Sequence, residues 1–201
     1  MNNHQRIVTP KENKILPKGL SRAKDLEALG FSRMAIGRML KRGQLERVSR
    51  GVYSTPEDLG GVHRSLAQVS LLAPNAAICL LSALEFHNLT TQLPFEVWIA
   101  VPSRSRKPKL EGVRVQFFDA KYFDVGLKTV EIEGVSVRVY DAARTVADCF
   151  KYRHKISLDV ALEALKQGFS ERRFTPDELW IMAGVCRVQK VITPYLEAVS
   201  A

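Results

Sequence analysis

SRAKDLEALGFSRMAIGRMLKRGQLERVSRGVYS, residues 21–54, contains the succession of elements that decides the fold of the first part of this chain. Ser21 belongs to the residue types that cap helices, and we expect it to begin a helix that runs through Leu29. Leu26 and Leu29 lie three residues apart, on one side of that helix. Gly30 then supplies the left-handed conformation in which many helices end.

A second helix is predicted directly afterwards, from Arg33 to Arg42, with Gly43 ending it. Ser32 stands at its N-terminus. Helical periodicity places an apolar stripe on one side, formed by Ile36, Met39 and Leu40. The same periodicity directs another set to the opposite side, namely Met34, Arg38 and Lys41.

The segment ERVSRGVYS, residues 46–54, alternates apolar and polar positions on both sides of a Ser-Arg-Gly turn, which predicts a β-hairpin. Val48 and Val52 are expected to pack inward against the helices. Gly51 allows the positive φ that the turn requires. Arg47 and Arg50 are expected to project from the strand and from the tip.

Two helices followed by a hairpin form the order of a winged helix-turn-helix, in which the second helix enters the DNA major groove. The residues predicted to contact DNA are Ser32, Arg33, Met34, Arg38, Lys41, Arg42, Arg47 and Arg50. Tyr53 is expected to anchor the second hairpin strand to the helices. A solvated basic surface and a protein-binding helix-turn-helix are the alternatives that the pattern leaves open.

The distribution of charge favours DNA over these alternatives. The chain has 201 residues and a net charge of +9. Residues 1–55 hold twelve Lys/Arg and four Asp/Glu, a net of +8, whereas residues 56–201 hold eighteen and seventeen, a net of +1. A charge that served solubility would be spread more evenly, and a concentrated basic segment is typical of a polyanion-binding module.

A domain boundary is predicted at residues 55–61, where a proline, an acidic pair and two glycines follow one another. The predicted domains are residues 1–55, the winged helix-turn-helix, and residues 62–201. A loose helix is also predicted from Asn3 to Leu16, which Pro10 starts or interrupts.

The larger remainder is predicted to form a small sheet covered by helices, so that the whole chain belongs to the α+β class. Strands are predicted at residues 95–101 and 113–118, with a hairpin of residues 129–132 and 135–139 around Glu133-Gly134. Helices are predicted at residues 62–72, 76–87, after the cap Asp141, at 158–169, from Pro176 to Ala183 behind a capping box at Thr175, and at 187–199.

Motifs of catalysis and of cofactor binding are missing from the sequence. It has no phosphate-binding G-x-x-x-x-G-K-[ST] loop, no G-x-G-x-x-G and no G-x-S-x-G elbow, and its histidines and cysteines lack metal-ligand spacing. We therefore expect no enzyme, no cofactor and no metal. Glu96, Asp119 and Lys121 loosely imitate the carboxylates and lysine of metal-dependent nucleases, but surface salt bridges are the preferred explanation.

Two further polar clusters lie in the larger half. The basic loop between the first two predicted strands is either solvated or a secondary phosphate contact, through Arg104, Arg106, Lys107 and Lys109. Asp141, Arg144 and Asp148 share a helix face, for which a cap and an i, i+4 ion pair are the preferred interpretation.

The predicted location is the cytoplasm. No apolar run approaches the roughly 20 residues that span a bilayer, and residues 1–14 lack the apolar region of a secretory signal. Cys79, Cys149 and Cys186 are isolated within apolar segments, so we expect buried free thiols.

Residues 21–54, together with PNAAICLLSALEFHNLT (74–90) and VRVYDAARTVADCFKYR (137–153), resemble the AbiEi-type antitoxins of type IV toxin–antitoxin systems. The resemblance implies an N-terminal winged helix-turn-helix that binds repeated sites upstream of its own operon and represses it. It also implies a C-terminal domain that counteracts a nucleotidyltransferase-like toxin encoded next to it. Because some members act as plain regulators, a stand-alone regulator with a ligand- or partner-sensing second domain is the alternative.

Overall fold

The computed structural model describes residues 16–57 and 60–200. The chain divides into two compact units, Met1–Leu59 and Gly60–Ala201. Both units mix helices with strands, and the predicted α+β class is confirmed. The helix predicted from Asn3 to Leu16 falls outside the described residues except for Leu16, which is not helical.

The first unit combines two helices with a three-stranded antiparallel sheet of order β1-β3-β2. Its elements are β1 Ser21–Arg22, α1 Ala23–Ala28, α2 Arg33–Lys41, β2 Glu46–Ser49 and β3 Val52–Ser54. The predicted second helix and hairpin are therefore confirmed, with α2 one residue shorter than expected.

Ser21 does not cap α1, and that prediction was wrong. Ser21 is buried in β1, where it pairs with Tyr53 of β3. The N-cap is Arg22, whose backbone N–H donates to Asp25 Oδ2 at 3.1 Å. Ser21 lies one residue before the N-cap and is part of β1, so its side chain does not occupy the capping position. Leu29 also lies outside the core, with 51% of its surface exposed.

The second unit is built around a five-stranded mixed sheet of order β6-β5-β4-β8-β7. Its strands are β4 Ala77–Ile78, β5 Val97–Pro102, β6 Val113–Phe118, β7 Leu127–Ile132 and β8 Val135–Tyr140. Its helices are α3 Arg64–Leu72, α4 Leu80–Phe86, α5 Ala142–Lys151, α6 Arg153–Ile156, α7 Leu158–Ser170, α8 Pro176–Cys186 and α9 Gln189–Ser200, with a 3₁₀ turn at Ala120–Tyr122.

The helix predicted from Ala76 to His87 is wrong in its first turn. Ala77 and Ile78 form the central strand of the sheet, antiparallel to β5 and parallel to β8. The helix begins only at Leu80. Hydrogen bonds to two distant strands stabilise the extended backbone here, a tertiary effect that overrides a local helical pattern.

Local signals elsewhere are confirmed. The Asp141 carboxylate accepts from Arg144 N at 2.8 Å and caps α5, and Thr175 and Glu178 form the predicted capping box of α8. Helix α5 packs against α4, α7 and α8 and lies at the centre of the core. The three cysteines are buried free thiols, as predicted.

The predicted ion pair of α5 is also confirmed, although it lies in the interior. Arg144 Nε donates to Asp148 Oδ2 at 2.9 Å, and their side chains are only 3% and 1% exposed.

Across residues 16–57 and 60–200, no helix is long and apolar enough to cross a membrane.

Candidate nucleic-acid interface

Helix α2 begins at Ser32, whose side chain caps it. Ser32 Oγ accepts a hydrogen bond from Ala35 N at 3.2 Å, and the Ser32 backbone is extended, as an N-cap requires. Gly30, with φ of 86°, turns the chain between α1 and α2. Because the Ser32 oxygen is the acceptor of the cap, its O–H stays able to donate to a phosphate at the helix N-terminus.

The inner face of α2 sets the rotation of the helix. Ile36 is 4% exposed and packs in a small core, and Met39 and Leu40 lie partly buried against the same core. That core consists of Leu26, Phe31, Ile36 and Leu45, with Tyr53 of β3 packed against it. The expected apolar stripe and the anchoring position of Tyr53 are both confirmed. The opposite face of α2 is thereby directed to solvent.

The outer face of α2 carries one apolar and several basic side chains. Met34 is 78% exposed in the first turn, and Arg38, Lys41 and Arg42 are exposed along the rest of the helix. A methionine, arginines and a lysine together offer an apolar contact for a thymine methyl group and donors for guanine acceptors or phosphates. The face therefore has the chemistry of a major-groove reader.

Arg33 differs from the other cations because it is held within the protein. Its Nε donates to Glu27 Oε1 of α1 at 2.7 Å, and this hydrogen bond raises the pKa of the Arg33 guanidinium. Glu27 was not predicted as part of the site, since the two residues lie on different helices six positions apart. The pair joins α1 to the start of α2 at the exposed surface.

The hairpin presents its two arginines on an irregular strand. The register of β2 against β3 shifts between Arg47 and Ser49, so Val48 occupies a β-bulge and is only half-buried. Val52 is completely buried, as predicted, whereas the inward packing of Val48 is partial. Arg47 and Arg50 are exposed, and Gly51 has the expected positive φ, 83°.

Five cations of this surface form no ion pair with an acidic side chain in the described part of the chain. Over the described residues, no ion pair or hydrogen bond engages the side chains of Arg38, Lys41, Arg42, Arg47 and Arg50. All eight predicted contact residues, from Ser32 to Arg50, are exposed. A surface with this many uncompensated cations attracts a polyanion.

Gly37 lies in the middle of α2, next to Arg38, and is half-buried. An added Cβ would meet no described atom within 4 Å. Its φ is not in the left-handed region, so neither packing nor backbone conformation requires glycine here. Glycine nonetheless destabilises a helix interior by about 1 kcal/mol relative to alanine. Gly37 was not predicted as a site residue. The feature of the sequence that could have indicated it is a glycine in the interior of a predicted helix.

The secondary basic loop joins β5 to β6 in the second unit. Arg104, Arg106, Lys107 and Lys109 are all exposed, and Arg104 has a positive φ of 71°. Lys107 also lines an open cavity of about 560 Å³ together with Arg114 and Lys155. The loop has the exposure that a phosphate contact needs, and its role stays a prediction.

The residues that imitate a nuclease are separately engaged. Glu96 pairs with Arg114 at 3.2 Å, and Asp119 caps the 3₁₀ turn by accepting from Lys121 N at 3.0 Å. Within residues 16–57 and 60–200, no group of three His, Cys, Asp or Glu side chains could hold a metal ion. The geometry favours the surface-pair explanation for these residues.

Residues 18–56 match the model of a family described as "Transcriptional regulator, AbiEi antitoxin". The matched segment contains both helices, the hairpin and all eight predicted contact residues. The resemblance of this segment to AbiEi antitoxins is thereby confirmed, and the family is one of regulators. No curated protein matches the chain.

Proposed function

We propose that this protein is a sequence-specific, double-stranded-DNA-binding transcriptional regulator of the antitoxin type, and not an enzyme. The observation that carries the proposal is the set of five cations on α2, at its C-terminal end and on the hairpin that form no ion pair with any described residue. Their scaffold is two packed helices followed by a hairpin whose arginines are exposed, an order that is typical of proteins that place a helix in the major groove. The family match over residues 18–56 supports the same function.

The surface divides between base reading and backbone contact. Met34 and Arg38 lie on the outer face of α2 and would reach base edges, where arginine forms two hydrogen bonds to guanine. Ser32 and Arg33, at the helix N-terminus, would contact phosphates. Arg47 and Arg50 would follow the backbone or the minor groove beside the helix, and Lys41 and Arg42 would extend the phosphate contacts.

Salt dependence tests this proposal. We expect tight binding of the full-length protein to its own upstream DNA, measured by fluorescence anisotropy, and weaker binding to a shuffled duplex of equal length. Several phosphate contacts predict a slope of about −0.9 per contact in log K against log[salt]. Equal affinity for both duplexes, or binding that salt does not affect, would refute sequence-specific recognition.

The biological setting follows from the antitoxin family. We propose that the protein acts in the cytoplasm, binds repeated sites in its own promoter and represses its operon. Its second unit would counteract a nucleotidyltransferase-like toxin encoded next to it. Expression of the neighbouring gene with and without this chain tests the second claim, because growth arrest relieved only by the chain supports an antitoxin.

A stand-alone regulator that senses a small molecule is the second candidate. A cavity of the second unit that is lined by Arg144, Lys151 and Arg187 favours this candidate. If no adjacent gene is toxic while the chain still represses its promoter, this candidate replaces the antitoxin.

A further inference from the structure

A second cavity lies inside the second unit, at the end of β6. It has a volume of about 420 Å³, within the range of small-molecule sites. Its walls come from the segment after β6, from α5 and α6, and from the junction of α8 with α9. The site described above uses none of these residues.

Arg144 is the buried polar group of this cavity. A guanidinium has five N–H donors. Nε donates to Asp148 Oδ2 at 2.9 Å, and Nη1 donates to the carbonyl oxygens of Tyr122 and Val125 at 3.0 and 2.8 Å. The two hydrogens of Nη2 have no partner among the described residues. The side chain is 3% exposed and lines the cavity, so these donors are available to a ligand there.

Three other cations line the cavity. Lys151 and Arg153 are half-buried at the α5–α6 junction, and Arg187 is exposed where α8 ends. Arg187 has φ of 60°, in the left-handed region, where glycine is the usual residue. The backbone conformation therefore does not explain why an arginine occupies this position. With the carboxylates Asp119 and Asp148 ionised, the four cations leave a net charge of +2.

The remaining walls are apolar and chemically inert. Phe118 and Tyr122 supply aromatic rings, and Val185, Val188 and Val191 supply an aliphatic side. Cys186 at the base donates its thiol to Asp148 Oδ1 at 3.1 Å, and burial raises its pKa far above the ordinary value. A protonated thiol is a poor nucleophile, so the cavity has the properties of a binding site.

We propose that this cavity binds a small phosphate monoester. The dianionic phosphate would accept from Arg144 Nη2 and neutralise the +2 charge, since arginine donors match phosphate oxygens. An aromatic or aliphatic part of the ligand would lie against Tyr122, Val185 and Val191, the half-buried apolar side chains of the wall. Binding at this site does not depend on whether the first unit binds DNA.

Isothermal titration of the full-length protein tests the proposal with four probes: AMP, ribose 5-phosphate, adenosine and succinate. We expect AMP to bind most tightly, ribose 5-phosphate more weakly, and adenosine to lose at least tenfold in affinity relative to AMP. Equal binding of adenosine and AMP, a preference for succinate, or no binding of either phosphate at millimolar concentration would overturn it.

Variants locate the bound phosphate. Arg187→Asn and Lys151→Gln should each weaken AMP binding at least fivefold, and asparagine tolerates the left-handed backbone. The matched controls are Arg172→Asn, exposed with φ of 53° outside the cavity, and Lys166→Gln on α7. Arg144→Lys keeps a cation beside Asp148 but removes the Nη2 donors, and it should also lose binding. If the cavity variants bind AMP as the controls do, the site lies elsewhere and the proposal fails.

Discussion

Arg33 on α2 donates from Nε to Glu27 Oε1 on α1 at 2.7 Å, so a carboxylate of the first helix holds the first cation of the second. All other predicted cations of this surface lack such a partner among the described residues. In the proposed DNA complex, a phosphate would compete with the Glu27 carboxylate for the Arg33 guanidinium.

Glu27→Gln should strengthen binding to DNA of any sequence. The substitution removes the negative charge that holds Arg33 and leaves only a neutral amide acceptor, so a phosphate would outcompete it, and the slope of log K against log[salt] would become more negative by about 0.9. Glu46→Gln is the control, because it removes the same charge without freeing an arginine. Weaker binding by Glu27→Gln than by wild type would mean that Glu27 instead positions Arg33.

Arg38→Ala and Arg50→Ala should affect recognition differently. Loss of a base contact by Arg38 would reduce discrimination between operator and shuffled DNA by about 1–3 kcal/mol. Loss of a phosphate contact by Arg50 would weaken binding to both duplexes alike and reduce the salt slope by about 1. Lys24→Ala, an exposed position on α1, is the control in anisotropy titrations. Identical behaviour of Arg38→Ala and Arg50→Ala would contradict the division of roles.

Gly37→Ala should act in opposite directions on stability and on DNA binding. The added methyl group has free space and improves helix propensity, so the free energy of unfolding should rise by roughly 0.5–1 kcal/mol. If the DNA lies close to α2 at this position, the same methyl group should weaken operator binding.

Chemical denaturation and anisotropy measure these two effects of Gly37→Ala. Gly184→Ala, within α8 and far from the predicted interface in sequence, should leave the affinity for DNA unchanged. A stabilised Gly37→Ala protein with undiminished affinity would show that DNA does not approach this residue.

Asp148→Asn should be strongly destabilising. It leaves the Arg144 guanidinium buried without a counter-charge, which costs roughly 3–5 kcal/mol. Asp124→Asn is the comparison, because Asp124 pairs with Arg138 at 2.7 Å but is 80% exposed, and such a pair contributes about 0–1 kcal/mol. Denaturant titration of both variants checks the ranking, and equal losses would contradict it.

His87 should make the protein less stable in mild acid. Burial lowers the pKa of His87, whose Nε2 lies 2.7 Å from the carbonyl oxygen of Tyr140. As the pH decreases below about 6.5, the ordinary pKa of histidine, the unfolded chain takes up the proton before the folded chain does. The free energy of unfolding therefore decreases as the pH is lowered, until the pH reaches the lower pKa of His87 in the folded protein. The slope from this group is at most about 1.4 kcal/mol per pH unit.

Unfolding of wild type, His87→Gln and His154→Gln between pH 5 and pH 8 checks the effect of His87. His154 is exposed and serves as the control. His87→Gln should flatten the decline below pH 6.5, and an unchanged profile would exclude His87 as its source.

Local signals predicted much of the fold. The bounds of α2, the hairpin at Gly51, the Asp141 cap and the Thr175 capping box depend on contacts within a few residues, which a sequence displays directly. The two errors in assigning helix starts both concern strands of two residues. Ser21 pairs with Tyr53, and Ile78 with Ile99 and Val139, and no local pattern reveals such distant partners.

The candidate interface was predicted more completely than the fold around it. Helical periodicity and the turn identified its eight contact residues, and every one of them is exposed. Their contact with DNA stays a prediction. Glu27 was not among the predicted residues because it contacts Arg33 from another helix, and Gly37 was not because it has no side chain.

The sequence by itself determined the helix–turn–helix–hairpin order, the outward direction of Arg38 and Arg50, and the concentration of charge in residues 1–55. These properties depend on periodicity, short-range hydrogen bonds and composition. Only the tertiary structure decided that Arg144 is buried, with two donors that no described residue engages, in a cavity that Arg187 also lines. That arrangement brings together residues from 118 to 191, and the packing of the core, rather than any local propensity, determines which of them meet.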